Sequence, residues 1–309
     1  MERLHLGYHF VRDGAAPGLT CSPKRLRAQV LSLHERGFAF LTCGEVARRM
    51  RDGLPLPERY ATLSFDDGLR DQYTTAFPIL RELGVPATFF IITCALDGEI
   101  PPVLGLQMLV AELGAERLER EILPEALAGT AYATLLDPTR YDIRDAKQAE
   151  APEVRRIYWV VAHFLGPGKM RDLIADLFAR YVGGHRADEL RRAWCMSRDE
   201  LIEMDRAGME IASHTVTHPL LPNCGRREIE WEAAESRRQL QDLLGHLVPT
   251  FAWTYGGQFS EGLQYLLVRH FESAWNFFSK LTAMPPLPDR YRPSYLYDIP
   301  RLQEAVFDP

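Results

Sequence analysis

The sequence predicts an α/β protein with parallel strands, and three observations predict it. Over the first hundred residues, short apolar runs alternate with helix-period segments, each punctuated by a glycine or an N-cap residue. From about Asp97 to Trp194 helical segments dominate, and from Ser197 the strand–helix alternation resumes. Strands that alternate with helices argue for parallel β/α packing. Residues 97–194 therefore read as a helical insertion or cap in a scaffold formed by residues 1–96 and 195–309. A chain of 309 residues could divide into two domains, but an α/β barrel of this length can be one.

The elements follow in order. "RLHLGYHF" is a strand whose period of two sets Leu4, Leu6, Tyr8 and Phe10 on one face and His5, Gly7 and His9 on the other. If the apolar face lies under helices, both histidines point inward, with His9 nearer the end of the strand. "SPKRLRAQVLSLHERG" is a helix with Ser22 as N-cap, Pro23 in the first turn and Gly37 past the end. "FAFLT" is a strand and "CGEVARRMRDG" a short helix closed by Gly53. A strand ending at Phe65 leads to the helix "LRDQYTTAFPILRELG", closed by Gly84, and then to the strand "ATFFII". The insertion carries the helices "LQMLVAELGAERLEREIL", "EVRRIYWVVAHFL" and "KMRDLIADLFARYV". Ser197 and Glu200 are spaced for a capping box at the head of "SRDELIEMDRAG", and "MEIASH" is the next strand. In "REIEWEAAESRRQLQDLLG", Ile229, Ala233, Ser236, Leu240 and Leu243 share one helical face. "PTFAWTYGG" and "ESAWNF" read as further strands.

Composition excludes some functions. A net charge of -6 and the absence of a basic run interleaved with aromatics argue against a nucleic-acid partner. Nothing approaches the ~18 consecutive apolar residues of a membrane span, and "MERLHLGYHF" lacks signal-peptide architecture, so a cytoplasmic location is expected. The five cysteines, Cys21, Cys43, Cys94, Cys195 and Cys224, are scattered without a CxxC pair. They read as reduced, mostly buried thiols rather than a disulfide framework or a zinc ribbon.

The chemistry is concentrated in two short stretches. In "LSFDDG" a strand runs straight into adjacent carboxylates, Asp66 and Asp67, whose repulsion beside apolar surface needs a solvated turn or a cation to offset it. In "ASHTVTHP", His214 and His218 stand four apart, but the β-branched residues between them and Pro219 after them favour a loop over a helix. Alone, two such histidines read more readily as imidazoles bonded to the backbone of a turn than as ligands. Both pairs, however, follow the C-terminal end of an expected parallel strand, and in a β/α barrel those ends share the rim where active sites sit. One carboxylate with two imidazoles makes a three-ligand set for a divalent metal with positions left open. The second carboxylate is then a natural base for a water on that metal. For His9, a rim position and a hydrogen-bonded core position both remain open on the residues alone.

These residues resemble the polysaccharide deacetylase family, the NodB-homology domain of carbohydrate esterase family four, over roughly residues 1–95 and 197–276. Its [T/S]-F-D-D-G motif is matched by Ser64, Phe65, Asp66, Asp67 and Gly68, and its H-[S/T]-x-x-H motif by His214, Thr215 and His218. The resemblance implies a distorted (β/α) barrel that hydrolyses N-acetyl groups of amino sugars with a divalent metal, zinc first and cobalt, nickel or manganese as alternatives. By that carry-over Asp66 is the base and Asp67, His214 and His218 are the ligands. The family's R-x-P-Y-G motif resembles "AWTYG": Tyr255 and Gly256 are kept, so the Tyr255 amide can serve an oxyanion, while Ala252 and Thr254 replace the arginine and the proline. The lost arginine is the family's orienting partner for the base. "GYHF" is similar to branches that carry the acid histidine on an N-terminal Y-H strand, which makes His9 the expected acid. Trp275, near the fourth motif, is the expected sugar contact, with core packing as its alternative.

The expectation is a metal-dependent deacetylase acting on an N-acetylated or N-acylated amino sugar. The alternatives are an O-acetyl esterase or non-sugar amidase using the same site, and a degenerate barrel that binds glycan without turning it over. An insertion that leaves the end of a strand emerges on the rim. Its amphipathic helices would bury against that rim, or against a second subunit's insertion in a homo-oligomer. A covered rim leads to the further expectation of a small N-acylated substrate over a polymer.

Overall fold

A curled, all-parallel sheet forms the centre of the computed structural model, which describes residues 2–14, 20–133, 152–255, 267, 269–278 and 297–303. The chain opens with β1 (Glu2–Tyr8), β2 (Phe10–Val11), β3 (Thr20–Cys21), α1 (Pro23–Glu35), β4 (Ala39–Phe40), α2 (Cys43–Arg51) and β5 (Arg59–Phe65). A π-helical turn over Gln72–Ala76 leads into α3 (Phe77–Glu82) and β6 (Thr88–Ile91). Helices follow: α4 (Pro102–Leu113), α5 (Ala115–Arg117), α6 (Leu123–Ala126), α7 (Pro152–Tyr158), α8 (Pro167–Tyr181), α9 (Gly184–Trp194) and α10 (Arg198–Arg206). The remaining elements are β7 (Glu210–Ser213), α11 (Arg226–Leu244), β8 (Thr250–Ala252), β9 (Ser273–Phe278) and β10 (Tyr297–Gln303).

The sheet runs β1-β10-β9-β8-β7-β6-β5-β4, and its curl also brings β1 against β5, from Glu2 beside Arg59 to Tyr8 beside Phe65. This is the distorted (β/α) barrel architecture. Because the strands are parallel, the ends of β1, β5, β6, β7 and β8 open onto one rim.

Local signals explain most of the elements. Ser22 caps α1 by accepting from the Arg25 amide at 3.2 Å, and Thr42 caps α2 in the same way. The capping box of Ser197 and Glu200 starts α10. Strand parity sets the core. Leu6, Tyr8 and Phe65 pack outward with Leu26, Val30 and Leu33 of α1, and Tyr8, Phe65 and Phe89 stack at 5.0 and 4.8 Å. Inward, His5 bonds Thr62 Oγ1 at 2.9 Å and sets its ring edge-on to Tyr60 and Trp275. All five cysteines are free thiols, and burial pushes Cys195 up to about 12.

Several elements differ from the sequence reading: β3 and α9 were not expected, and the strand "RLHLGYHF" breaks at His9 into β1 and β2. The helix after Asp67 begins as a π-turn, because Pro78 has no N–H to bond the carbonyl four residues back. β8 stops at Ala252, where the chain turns toward the rim. β10 was not expected: Pro300 interrupts its local signal, and only its pairing with β9 and β1 makes it a strand.

The helices between Pro102 and Trp194 are joined to the rim through a shared apolar core. Pro102 to Val110 of α4 are buried, in one cluster with Phe10, Leu69, Ile92 and Val216 from the ends of the strands. Inside it, Arg156 pairs with the buried Glu119. No helix among the described residues is long and apolar enough to cross a membrane.

Phe65 is fully buried between two aromatic partners and ends one residue before the two carboxylates. Phe65→Ala is expected to destabilise the fold by about 3–5 kcal/mol in urea denaturation. A loss under about 1 kcal/mol would show that this stack does not anchor β5.

Candidate metal centre

The loops after β5 and β7 bring two carboxylates and two imidazoles into one buried cluster. Asp67 Oδ1 lies 3.5 Å from His214 Nε2 and 3.6 Å from His218 Nε2, and Asp66 Oδ2 lies 4.0 Å from His214 Nε2. Asp66 and His214 are 1% exposed, Asp67 5% and His218 7%, so water does little to separate these charges. Asp67, His214 and His218 each offer a ligand atom, and the three atoms lie within 4.8 Å of one another. Ligands about 2.1 Å from a tetrahedral zinc stand about 3.4 Å apart, so the donor spacing fits a divalent metal with a position left open.

The hydrogen bonds also suit ligation. His214 Nδ1 donates to the Ala252 carbonyl at 3.0 Å, which leaves Nε2 as the lone-pair nitrogen facing Asp67. His218 is held well below its ordinary pKa, by burial first and then by neighbouring His214, with His9 adding to the effect. It is therefore a neutral donor. The Tyr255 ring packs edge-on to His218 at 4.7 Å, and burial, with Asp67 beside it, raises its phenol.

The backbone of the site is strained. Asp67, Thr215, His218 and Tyr255 are the non-glycine residues found with positive φ among the described residues, at 76°, 68°, 59° and 60°. All four belong to this cluster. Aspartate and histidine enter the left-handed region more readily than most residues, but outside glycine the conformation still costs on the order of 1–3 kcal/mol each and needs support from its surroundings. Gly68, at φ 69°, completes the turn, and a Cβ there would meet Ile91 at 3.4 Å.

That support comes mainly from residues the sequence reading passed over. Gln72, fully buried, donates to the carbonyls of Asp66 (2.6 Å) and His9 (3.0 Å), and the Asp66 amide donates to the Tyr8 carbonyl at 2.9 Å. The segments carrying Asp66 and His9 are thus tied together. Beside it, Asp71 accepts from the Val11 amide and from Arg12. Glu232 of α11 accepts from the amides of Val216 and Thr217, inside the loop between the two histidines. Its spacing was the available signal: it falls on the same face as Ile229, Ala233 and Ser236, an acid on an apolar stripe. Thr254 Oγ1 donates to the Pro219 carbonyl at 2.5 Å, so the threonine in place of the motif's proline braces the His218 turn.

His9 follows β1 at the rim, half-buried and close enough to His218 to depress its pKa. Trp275 does not line the site. It is fully buried among Tyr60, Phe90, Ala212 and Ala252, and its indole N–H donates to Ser273 at 3.2 Å, so the expected sugar contact is corrected to a core residue. Ala252 faces the same packed cluster, where an arginine would bury its charge. Gly256 lies outside the described residues.

Comparison with known proteins agrees with this geometry. The profile described as "Polysaccharide deacetylase" matches residues 53–116 and 177–267, half of the chain. The poly-beta-1,6-N-acetyl-D-glucosamine N-deacetylase of Escherichia coli K12 is 35% identical over 86 residues, 27% of this chain and 13% of that protein. The chitooligosaccharide deacetylase of Sinorhizobium fredii is 42% identical over 50 residues, 16% of this chain and 23% of that protein. The chain thus aligns with only a small part of each relative's length. The Streptococcus pyogenes deacetylase PplD, in complex with acetate, superposes with a TM-score of 0.60 at 15% identity, covering 98% of this chain and 92% of that one. That likeness establishes the fold.

Zinc added to the metal-free protein at about 100 times its dissociation constant is expected to stabilise it by about 2.7 kcal/mol, read as a higher melting temperature. Asp67→Asn and His218→Ala should remove that increment. An undiminished rise in both variants would place the ion elsewhere.

Proposed function

The chain belongs to the polysaccharide deacetylase family, and on that premise we propose that it removes N-acetyl groups from an amino-sugar chain at the Asp67–His214–His218 centre. The observation that carries this reading is the convergence of three metal-donor atoms with a second carboxylate, Asp66, 4.0 Å from one of the ligating imidazoles. When bound, a divalent ion supplies Lewis-acid polarisation of the acyl carbonyl and acidifies the attacking water. Asp66 takes the proton from that water. The Tyr255 amide donates to the oxygen on which negative charge develops. His9, tied through Gln72 to the backbone of Asp66, gives a proton to the leaving amine.

The small-substrate expectation gives way. The relatives with matching sequence are named for a poly-N-acetylglucosamine and for chitooligosaccharides, which favours oligomeric or polymeric amino sugars over a monomer-sized intermediate. Burial of Ala252, together with the bracing by Thr254, accounts for the altered third motif without loss of the metal donors, and so favours an enzyme over a glycan-binding remnant.

Acetate release should be measured on N-acetylglucosamine, on its oligomers and on matched O-acetyl esters. The expected order is oligomer, then monosaccharide, with the ester slowest. Faster turnover of the monosaccharide would restore the small-substrate reading, faster ester cleavage would make the protein an esterase, and no release despite glycan binding would make it a binding barrel. His9→Ala is expected to lower kcat by about 10²–10⁴ while metal content stays at the wild-type level. His5→Ala should lower stability and leave kcat largely intact, since His5 sits in the barrel core. Wild-type turnover in His9→Ala would remove that histidine from the mechanism.

A further inference from the structure

We infer that Glu232 is a positioning residue for the metal centre, acting through the backbone of the loop that presents His214 and His218. The inference rests on the metal reading of that centre. Glu232 projects from α11 and is 1% exposed. One carboxylate oxygen accepts from the Val216 amide at 2.7 Å and the Thr217 amide at 3.0 Å, and the other accepts from the Thr217 hydroxyl. Both oxygens are therefore committed to the loop, and neither is directed at the reacting atoms.

The Thr215 amide donates to Ser213 Oγ at 3.4 Å, those of Val216 and Thr217 donate to Glu232, and that of His218 donates to Thr215 Oγ1 at 2.9 Å. Thr215 and His218, left-handed without being glycine, are the two strained positions of this segment. Residues in that region relax when their surroundings let them. On the far side, the carbonyls of Thr215 and Val216 accept from Thr93 and Cys94, so the loop is held between the end of β6 and α11. Ser236, one turn beyond Glu232, reaches Ser213 at 2.7 Å and fixes the height of α11 against β7. With the carboxylate gone, two buried amides lose their acceptor, the loop relaxes, and His218 Nε2 moves off the point it shares with Asp67 Oδ1.

The test compares reach with charge. Cobalt(II) is titrated into the metal-free wild type, Glu232→Asp and Glu232→Gln, reading the dissociation constant and the visible d–d band, with circular dichroism as the check on folding. Glu232→Asp keeps the charge but is shorter by one methylene, whereas Glu232→Gln keeps the reach and an acceptor oxygen. The expected result is about 10–100-fold weaker cobalt binding and an altered band for Glu232→Asp, the range found for supporting residues around metal sites, with Glu232→Gln closer to wild type. Wild-type affinity and band in Glu232→Asp would overturn the inference. So would a larger loss in Glu232→Gln than in Glu232→Asp, which would make charge the operative property. Should Glu232→Asp not fold, Thr217→Val, which removes one of the three hydrogen bonds, carries the comparison: weakened cobalt binding supports the inference and unchanged binding overturns it. A wild-type protein that takes up no cobalt would end the metal reading, and this inference with it.

Discussion

The constraint from which the rest follows is the gathering of Asp66, Asp67, His214 and His218 in a space that water barely reaches. Two carboxylates in sequence at the end of an apolar strand repel each other, and burial removes the solvent that would screen them. The His218 imidazole does not offset this, because burial first and then neighbouring His214 hold its pKa well below the ordinary value. A divalent cation between Asp67 and the two imidazoles would. The fold around the site can be understood as what holds three donor atoms at the spacing such an ion requires.

Holding them takes two kinds of support. The parallel register supplies the coarse position: β5 and β7 flank β6, so the loops that follow them meet over one strand. The fine position comes from side chains that act on backbone. Gln72 ties the segments of Asp66 and His9, Glu232 ties the loop between the histidines, and Thr254 ties the turn after His218. The contacts around the histidine loop hold Thr215 and His218 in a conformation that residues with side chains avoid, which is how a site stores strain without glycine. The helices of residues 102–194 add a wall by merging their apolar core with Phe10, Leu69 and Val216.

What the sequence made legible was local. The capping box at Ser197, the Ser22 cap, the parity of β1 as far as Tyr8 and the placing of Asp67, His214 and His218 in the loops after two strands are written in neighbouring residues, whereas Phe10 leaves that face for the cluster at the rim. What stayed hidden depends on partners far along the chain. β10 exists through pairing, despite Pro300. Glu232 is a buried carboxylate only because a loop 15 or 16 residues away brings it donors. Trp275 reads as a sugar contact from its motif and proves to be core, since burial is decided by Tyr60, Phe90 and Ala252 together. The replacement of arginine by Ala252 becomes intelligible only with that cluster in view.

The most direct measurement is anomalous diffraction at the zinc edge from crystals of the zinc-loaded protein. The account predicts one strong peak about 2.0–2.2 Å from a carboxylate oxygen of Asp67 and from Nε2 of both His214 and His218, with Asp66 outside bonding distance. A peak elsewhere, or His218 turned away from the ion, would contradict it.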